Sequence, residues 1–262
     1  MGIDRDFLDV LYSEPAWEDV WEYESGNFKE TIERRRNIKH IKQYLNNCLQ
    51  REAWYKDEKL HKDDGPVLIE YYPSGKIYSE RWYQSGVLRK EISYWTNGSK
   101  KQEIWYNETG QLHRDDGPAV VMYSQNDARI YEEWRKNGLI WRKDGPAIIE
   151  YFESGEKSSE SWFNEKGRLH RNGAPAHIKY EKDGTVSHEE YYEDGLLHRL
   201  DGPAVRKRVT AVIEKEDGKE VFSFYEEKYY INGQQVEKED LEKYRHIKSQ
   251  VFGVKKSKKI KL

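Results

Sequence analysis

The sequence predicts a mainly β protein, an elongated solenoid of antiparallel β-hairpin repeats with short helical caps at both ends. Three observations predict this fold class: a recurring proline tetrapeptide, an aromatic marker that recurs with it, and alternating apolar and polar residues after each proline. About seven repeats of 28 or so residues are expected over residues 53–235. Residues 1–52 are expected to form a helical N-terminal cap, residues 236–252 a C-terminal helix and residues 253–262 a basic tail.

The tetrapeptide Asp-Gly-Pro-Ala and its variants set the period. Their prolines are separated by 52, 28, 29 and 28 residues, so the first gap contains one degenerate copy. These prolines are Pro66, Pro118, Pro146, Pro175 and Pro203. Because proline fixes φ and disfavours helix at the preceding residue, each tetrapeptide is expected to be a rigid turn.

An aromatic marker confirms the number of copies. It is an aromatic pair, or one remaining ring of it, at the start of each copy. Its first residues are Trp54, Trp82, Trp105, Trp134, Trp162, Tyr191 and Tyr229. Packing of these rings in the core between neighbouring hairpins is the main interpretation, and base-stacking platforms for single-stranded nucleic acid are the alternative.

The residues after each proline have the pattern of a half-buried strand. The first, third and fifth positions are apolar or aromatic, as in Val67, Ile69 and Tyr71, and the fourth is usually polar. A glycine such as Gly75 or Gly155 then follows two or three polar residues, which is typical of a hairpin turn.

Two charged positions recur in register with the aromatic marker. A glutamate lies two residues before it, at Glu80, Glu103, Glu132, Glu160, Glu189 and Glu227. A base follows the histidine position, at Lys62, Arg89, Arg114, Arg142, Arg171 and Arg199. Interleaving of these charges predicts a complementary surface ladder, and a binding strip for a charged partner is the alternative.

The flanking segments are predicted to be helical. Residues 27–50 place apolar side chains at three- and four-residue spacings, which predicts a helix that closes one end of the stack. Those apolar residues are Ile38, Ile41, Leu45, Cys48 and Leu49. Residues 4–22 are expected to form one or two short helices broken at Pro15, and residues 237–252 a short helix.

Charge is distributed unevenly although the net charge is only -3. The first 24 residues carry eight acidic residues against one arginine, Arg5. The tail carries five lysines, Lys255, Lys256, Lys258, Lys259 and Lys261. Such a tail could contact nucleic acid, an anionic membrane or an acidic protein, or only increase solubility.

No residue set has the spacing of a catalytic, metal or cofactor site. The recurring His61, His113, His170 and His198 are spaced one per copy, whereas metal ligands must converge. Acid pairs such as Asp63-Asp64 adjoin turn glycines, where aspartate bonds its own backbone. The single cysteine excludes an internal disulfide. With neither a signal-peptide pattern nor a long apolar run, an intracellular soluble protein is expected.

Copies such as WYNETGQLHRDDGPAVVMY and WRKNGLIWRKDGPAIIEYFESG resemble MORN-like repeats, in the variant related to YwqK-type antitoxin proteins. The Leu-His-Arg-x-Asp-Gly-Pro-Ala form is similar to that of proteins abundant in giant DNA viruses of the marseillevirus kind. The resemblance covers Ala53 to Gln234 and implies a generic scaffold, because such repeats serve many functions. The closely spaced glycines of classical MORN repeats are not matched, which weakens any inference of phospholipid binding.

These observations predict a non-enzymatic scaffold for protein–protein interaction. The resemblance implies a structural role in the virus particle, as a minor capsid or capsid-associated component, with a location in the host cytoplasm and the virion. The alternatives are an antitoxin- or immunity-like binder of a partner protein and a membrane-surface binder that uses the lysine tail. The expected partners are proteins, including capsid proteins or further copies of this chain, and no cofactor or small-molecule substrate is expected.

Overall fold

The computed structural model describes residues 17–215 and 218–256. These residues form a mainly β protein with one helix, and every strand pair in them is antiparallel. The chain divides into two compact units. The first is Met1–Lys101 with Glu108–Gly110, and the second is Gln102–Asn107 with Gln111–Leu262.

The first unit is a series of hairpins. Its strands are β1 (Asp19–Ser25), β2 (Phe28–Arg35), β3 (Ile38–Leu45), β4 (Cys48–Lys56), β5 (Lys59–Leu60), β6 (Leu68–Tyr71), β7 (Ile77–Gln84) and β8 (Val87–Tyr94). Strands β1 to β4 pair in sequence order, β4 then pairs with both β5 and β6, and β6, β7 and β8 pair in order. Ile32, Ile41 and Ala53 are consecutive cross-strand neighbours in this sheet.

The predicted helix over residues 27–50 is wrong, because these residues form β2, β3 and the start of β4. The apolar residues assigned to one helical face lie on two different strands, and Leu45 and Cys48 are paired across a turn. Two-residue turns at Gly26-Asn27, Arg36-Asn37 and Asn46-Asn47 repeat every ten residues. This ten-residue spacing of turn residues is the signal of short strands that the helical pattern concealed.

The N-terminal prediction of short helices over residues 4–22 has a mixed outcome. Residues 4–16 lie outside the described part of the chain. Asp19 to Glu22 belong to strand β1, whose Trp21 lies opposite Ile32 of β2. The described part of the N-terminal region is therefore built of strands.

The second unit contains the remaining strands. They are β9 (Lys100–Trp105, which begins at the unit boundary), β10 (Val120–Tyr123), β11 (Arg129–Glu133), β12 (Arg135–Lys136), β13 (Leu139–Ile140), β14 (Ile148–Tyr151), β15 (Lys157–Ser161), β16 (His177–Tyr180), β17 (Val186–Glu190), β18 (Tyr192–Glu193), β19 (Leu196–Leu197), β20 (Val205–Lys215), β21 (Gly218–Ile231) and β22 (Gln234–Val236). The sheet order is β9, β10, β11, β14, β15, β16, β17, β20, β21 and β22. The short pairs β12–β13 and β18–β19 form separate two-stranded hairpins.

The most deeply buried part of this unit's core consists of small residues at one position of each copy. The residue directly after each proline of the tetrapeptide is fully buried: Ala119, Ala147, Ala176 and Ala204 each have 0% exposure. In the first unit Val67 takes this position and is also buried. The alternation of apolar and polar residues after each proline therefore begins at a buried position that is occupied by small side chains.

One helix, α1, spans Lys238–Lys256. Leu241 in its first turn is buried, at 2% exposure, and Glu239 and Asp240 lie near its N-terminus, where negative charge is favourable. The predicted basic tail thus begins inside the helix, and residues 257–262 lie outside the described part of the chain. No helix among the described residues is both long and apolar enough to cross a membrane.

Candidate functional site

Each aromatic marker residue in six copies carries a cation on its ring. The cation is a lysine or arginine that follows the ring by eight or nine residues, at a distance typical of cation–π contacts. The distances to the ring centroid are 3.8 Å for Lys62 on Trp54, 4.8 Å for Lys90 on Trp82, 4.5 Å for Arg114 on Trp105, 3.9 Å for Arg142 on Trp134, 3.8 Å for Arg171 on Trp162 and 3.8 Å for Arg199 on Tyr191. We call this set the cation–ring row.

The backbone fixes five of the six rings of the row in the same way, whereas Trp82 lies within strand β7 opposite Lys90. Trp134 donates its main-chain N–H to the carbonyl of Ala147 at 2.7 Å, and its own carbonyl accepts the N–H of Trp141 at 3.1 Å. Equivalent bonds bracket Trp54, Trp105, Trp162 and Tyr191. The rings are half-buried and face a base, and Trp54 also stacks on His40 of β3 with a centroid distance of 4.2 Å.

The glycine of the tetrapeptide leaves room for the guanidinium. A Cβ atom on Gly117, Gly145 or Gly202 would lie 2.9, 3.2 or 3.1 Å from Cζ of Arg114, Arg142 or Arg199, respectively. These glycines are needed for close approach, because their φ angles are not in the left-handed region. Each of these arginines is thus packed between an aromatic ring and a glycine backbone.

In two copies the aspartate of the tetrapeptide forms an ion pair with the same base. Arg114 Nε lies 2.9 Å from Asp116 Oδ1, and Arg199 Nε lies 2.8 Å from Asp201 Oδ1. The hydrogen bond from Arg114 lowers the pKa of Asp116, and that from Arg199 lowers the pKa of Asp201. In these two copies Arg-x-Asp-Gly-Pro is therefore one local unit in which ring, base, acid and glycine are in contact.

The recurring glutamates do not form one ladder with these bases. Glu132 and Glu160 are buried, with 5% and 6% exposure, and pair with Arg129 and Lys157 instead. The tyrosine five residues after the proline donates its hydroxyl to the glutamate, as Tyr180 does to Glu160 at 2.9 Å. Tyr123 contacts Glu103 similarly, and Tyr94 contacts Glu80. Glu189 pairs with Arg206 at 3.4 Å.

The recurring histidines connect one copy to the next. Nδ1 of His113, His170 and His198 accepts the main-chain N–H of Asn137, Asp194 and Asn232 at 3.1, 3.3 and 3.0 Å. The opposite nitrogen, Nε2, faces Asp115, Asn172 and Glu193, respectively. Among the described residues no group of three or more His, Cys, Asp or Glu could hold a metal ion.

Copies differ in the kind of turn that they contain. His113 and His170 lie 57 residues apart, and each precedes a copy whose two-residue turn is Asn137-Gly138 or Asp194-Gly195. Trp141 replaces the histidine where the following turn is the longer Asn164–Gly167 segment. The histidine therefore occurs where a left-handed turn presents an N–H to it, which explains the exception at Trp141.

Open grooves lie beside the cation–ring row. One, of about 370 Å³, is lined by Arg114, Trp134, Trp141 and Arg142 among others, and another, of about 340 Å³, by His170, Tyr191, His198 and Arg199 among others. In these grooves the arginines already contact a ring, and Arg199 also donates to the Pro203 carbonyl at 3.3 Å. The row therefore has a clear structural role in joining each copy to its tetrapeptide.

A long hairpin interrupts the regular series of copies. Strands β20 and β21 have 11 and 14 residues, and the distance from Tyr191 to Tyr229 is 38 residues instead of about 28. This extra length was the available signal. Large apolar side chains on the hairpin are exposed: Val212 at 56%, Ile213 at 49%, Val221 at 62%, Phe222 at 41% and Phe224 at 53%.

The predicted lysine tail is only partly described. Lys255 and Lys256 lie in the last turn of α1, and Lys258, Lys259 and Lys261 lie outside the described residues. Tyr229, the last predicted aromatic marker, donates its hydroxyl to Glu227 at 3.0 Å.

In comparisons with known proteins, the chain matches no family model and no curated protein.

Proposed function

We propose that the protein is a non-enzymatic scaffold that binds proteins, and that the hairpin formed by β20 and β21 is its docking element. The observation that carries this proposal is the concentration of exposed apolar side chains on that hairpin. Contiguous exposed apolar surface in a folded protein usually marks an interaction site. A two-stranded hairpin is marginally stable alone, so a covering partner would also stabilise it.

The contacts of the cation–ring row support a structural role for its arginines and for the recurring histidines. Arg114 and Arg199 are held by a ring and an aspartate, and His198 is held by the N–H of Asn232. Tyr180 and Lys157 both contact Glu160. These side chains join adjacent strands and copies, which is what a scaffold requires.

The proposal includes a stack of hairpin copies that forms a repeat solenoid within the second unit. Its support is the recurrence of the same bond between copies, from Asn137 to His113, from Asp194 to His170 and from Asn232 to His198. In repeat proteins such neighbour contacts supply most of the stability.

A structural place in a virus particle remains part of the proposal and rests on the resemblance of the Asp-Gly-Pro-Ala copies. Proteomics of purified particles tests it, because a structural component must be present in a fixed ratio to the capsid protein. Absence from the particles would remove this part of the proposal and leave the scaffold function untouched.

The scaffold function is tested by quantitative affinity purification of the tagged full chain from the cells that produce it. The hairpin variant Phe222→Ser/Phe224→Ser removes two exposed rings from one face of the hairpin. The matched control Val212→Thr/Val221→Thr alters a cross-strand pair on the other face of the same hairpin. We expect the partner proteins to be retained by the control and lost by the phenylalanine variant. Equal recovery of the same partners with all three proteins would contradict the docking role.

A further inference from the structure

The two faces of the β20–β21 hairpin differ in chemistry. Residues opposite each other on antiparallel strands lie on the same face. One face is formed by the pairs Arg206–Glu227, Arg208–Tyr225, Thr210–Ser223, Val212–Val221 and Glu214–Lys219. The other is formed by Lys207–Glu226, Val209–Phe224, Ala211–Phe222 and Ile213–Glu220. We call them the polar face and the apolar face.

The polar face is largely paired within the chain. The Arg206 guanidinium lies 4.3 Å from the Tyr225 ring centroid, and Thr210 Oγ1 lies 3.3 Å from Ser223 Oγ. Lys219 Nζ lies 3.3 Å from Glu214 Oε1. The Val212–Val221 pair is the apolar exception on this face, and the neighbouring pairs on both sides of it are polar.

The apolar face has a large side and a small side. Strand β21 contributes the two phenylalanines, whereas β20 contributes Val209 and Ala211, which leave a recess beside the rings. At the base of this face β20 carries Lys207 and β21 carries Glu226, whose Oε1 also lies 3.5 Å from Lys228 Nζ of its own strand. The two strands therefore complement each other chiefly in side-chain size.

We infer that a second copy of this chain covers the apolar face, with a two-fold axis along the hairpin, so that β21 of each copy lies over β20 of the other. This inference rests on the proposed docking role of the hairpin and names its partner. In this arrangement Phe222 and Phe224 of one copy fill the recess over Ala211 and Val209 of the other. Lys207 and Glu226 meet across the interface twice, since a two-fold interface is self-complementary.

The available area sets the expected affinity. Given that a fully buried aromatic side chain covers about 150–250 Å², the half-exposed residues of this face offer on the order of 400 Å² per copy. Both copies together would bury roughly 800 Å², which is less than the roughly 1,200 Å² of stable specific complexes and lies in the range of weak, transient contacts, so the expected dimer is weak and reversible. Dimerisation is therefore expected in the micromolar range and at the high local concentrations of an assembly.

Sedimentation equilibrium of the full chain, from about 1 to several hundred micromolar, tests the inference. We expect wild type to pass from monomer to dimer, and Phe222→Ser and Phe224→Ser each to raise the dissociation constant by about tenfold or more. Val221→Thr, on the polar face, should leave the dissociation constant unchanged. Circular dichroism and urea unfolding of each variant establish that the chain is folded, so that loss of the dimer cannot be mistaken for loss of the hairpin.

Disulfide trapping tests the axis. In a Cys48→Ser background, which removes the exposed native thiol, Ala211→Cys protein is mixed with Phe222→Cys protein under mild oxidation. The proposed axis predicts a mixed disulfide between the two proteins. Preferential linking of Ala211→Cys protein to itself would indicate the opposite axis and overturn the arrangement.

Different experimental outcomes would contradict the dimer and the docking role of the hairpin. A wild-type chain that stays monomeric at every concentration overturns the second copy as the partner. If the Phe222→Ser/Phe224→Ser variant still loses its partners in affinity purification, the docking role stands and another protein, or a terminal segment of this chain, covers the face. If the variant loses nothing, the docking role itself fails.

Discussion

Nδ1 of His198 accepts the main-chain N–H of Asn232 at 3.0 Å, across 34 positions of the chain. Gly233, the next residue, donates its N–H to the carbonyl of Leu197 at 2.9 Å. These two bonds connect the β18–β19 hairpin to the Asn232-Gly233 turn between β21 and β22. The same pair of bonds connects earlier copies, so this relationship is a unit of the architecture rather than a local accident.

Replacing His198 with alanine should lower the stability of the second unit by about 1 kcal/mol, because the Asn232 N–H loses its acceptor and the imidazole loses its packing. His61→Ala is the matched control. The His61 side chain is 39% exposed, and Nε2 forms a surface contact with Asp63 at 2.9 Å, which is worth little. Urea unfolding followed by tryptophan fluorescence compares the two. Equal losses from both substitutions would refute the role assigned to the histidines.

Gly117→Ala should destabilise the chain by about 1 kcal/mol, since the added Cβ would lie 2.9 Å from Cζ and Nε of Arg114 and would displace it from the Trp105 ring. In an Arg114→Ala background the same glycine substitution should become neutral or slightly stabilising, because its φ angle suits alanine. The double-mutant cycle in urea unfolding gives the coupling energy. Additive effects would show that the close approach of glycine and guanidinium does not matter.

Tyr180 should make stability sensitive to alkaline pH. Burial, followed by the hydrogen bond to Glu160, raises the pKa of Tyr180 to about 12. Because folding raises this pKa, the contribution of Tyr180 to the free energy of unfolding is complete below the ordinary tyrosine pKa near 10. This contribution is lost as the pH rises toward 12.

The variant Tyr180→Phe should therefore cost about 1–2 kcal/mol at pH 7 and should show a weaker fall in stability between pH 10 and 12 than wild type. Tyr244→Phe, at a ring that is 39% exposed, is the control for the loss of one hydroxyl. Unfolding midpoints measured over this pH range provide the comparison. A parallel decline for wild type and Tyr180→Phe would remove Tyr180 from the explanation.

The sequence predicted the structure best where a residue type favours one backbone conformation, as proline and glycine do in turns. The prolines and the apolar alternation after them predicted strands such as Ile148–Tyr151, and the turn glycine Gly155 has φ of 96°. The sequence could not show that Arg142 would lie on Trp134, because a spacing of eight residues brings side chains together only through the local hairpin geometry. The regular spacing of the glutamates and bases predicted one ladder. Which of these residues are buried, and which partners they contact, depends on the tertiary structure and is not visible in the spacing.

The long hairpin and the N-terminal strands were missed for different reasons. The hairpin interrupts the repeat period, so its extra residues resemble an irregular copy of the repeat and not an inserted hairpin. The segment from Phe28 to Leu45 has apolar spacings that fit a helix, but it also has β-branched residues and paired turn residues that fit strands. Periodicity alone does not separate these alternatives in a short segment.

The Asn46-Asn47 turn allows the two alternatives to be distinguished experimentally. Both residues have left-handed φ angles, 51° and 60°, and join β3 to β4 as a two-residue hairpin loop. Asn-Gly is the preferred sequence for such a loop, so Asn47→Gly should stabilise the chain by about 0.5–1 kcal/mol. In a helix interior the same substitution would lower stability, because glycine is among the poorest helix formers. Asn46→Ala, which places alanine at positive φ, should be destabilising. Urea unfolding of both variants decides the matter, and a loss of stability in Asn47→Gly would contradict the strand assignment.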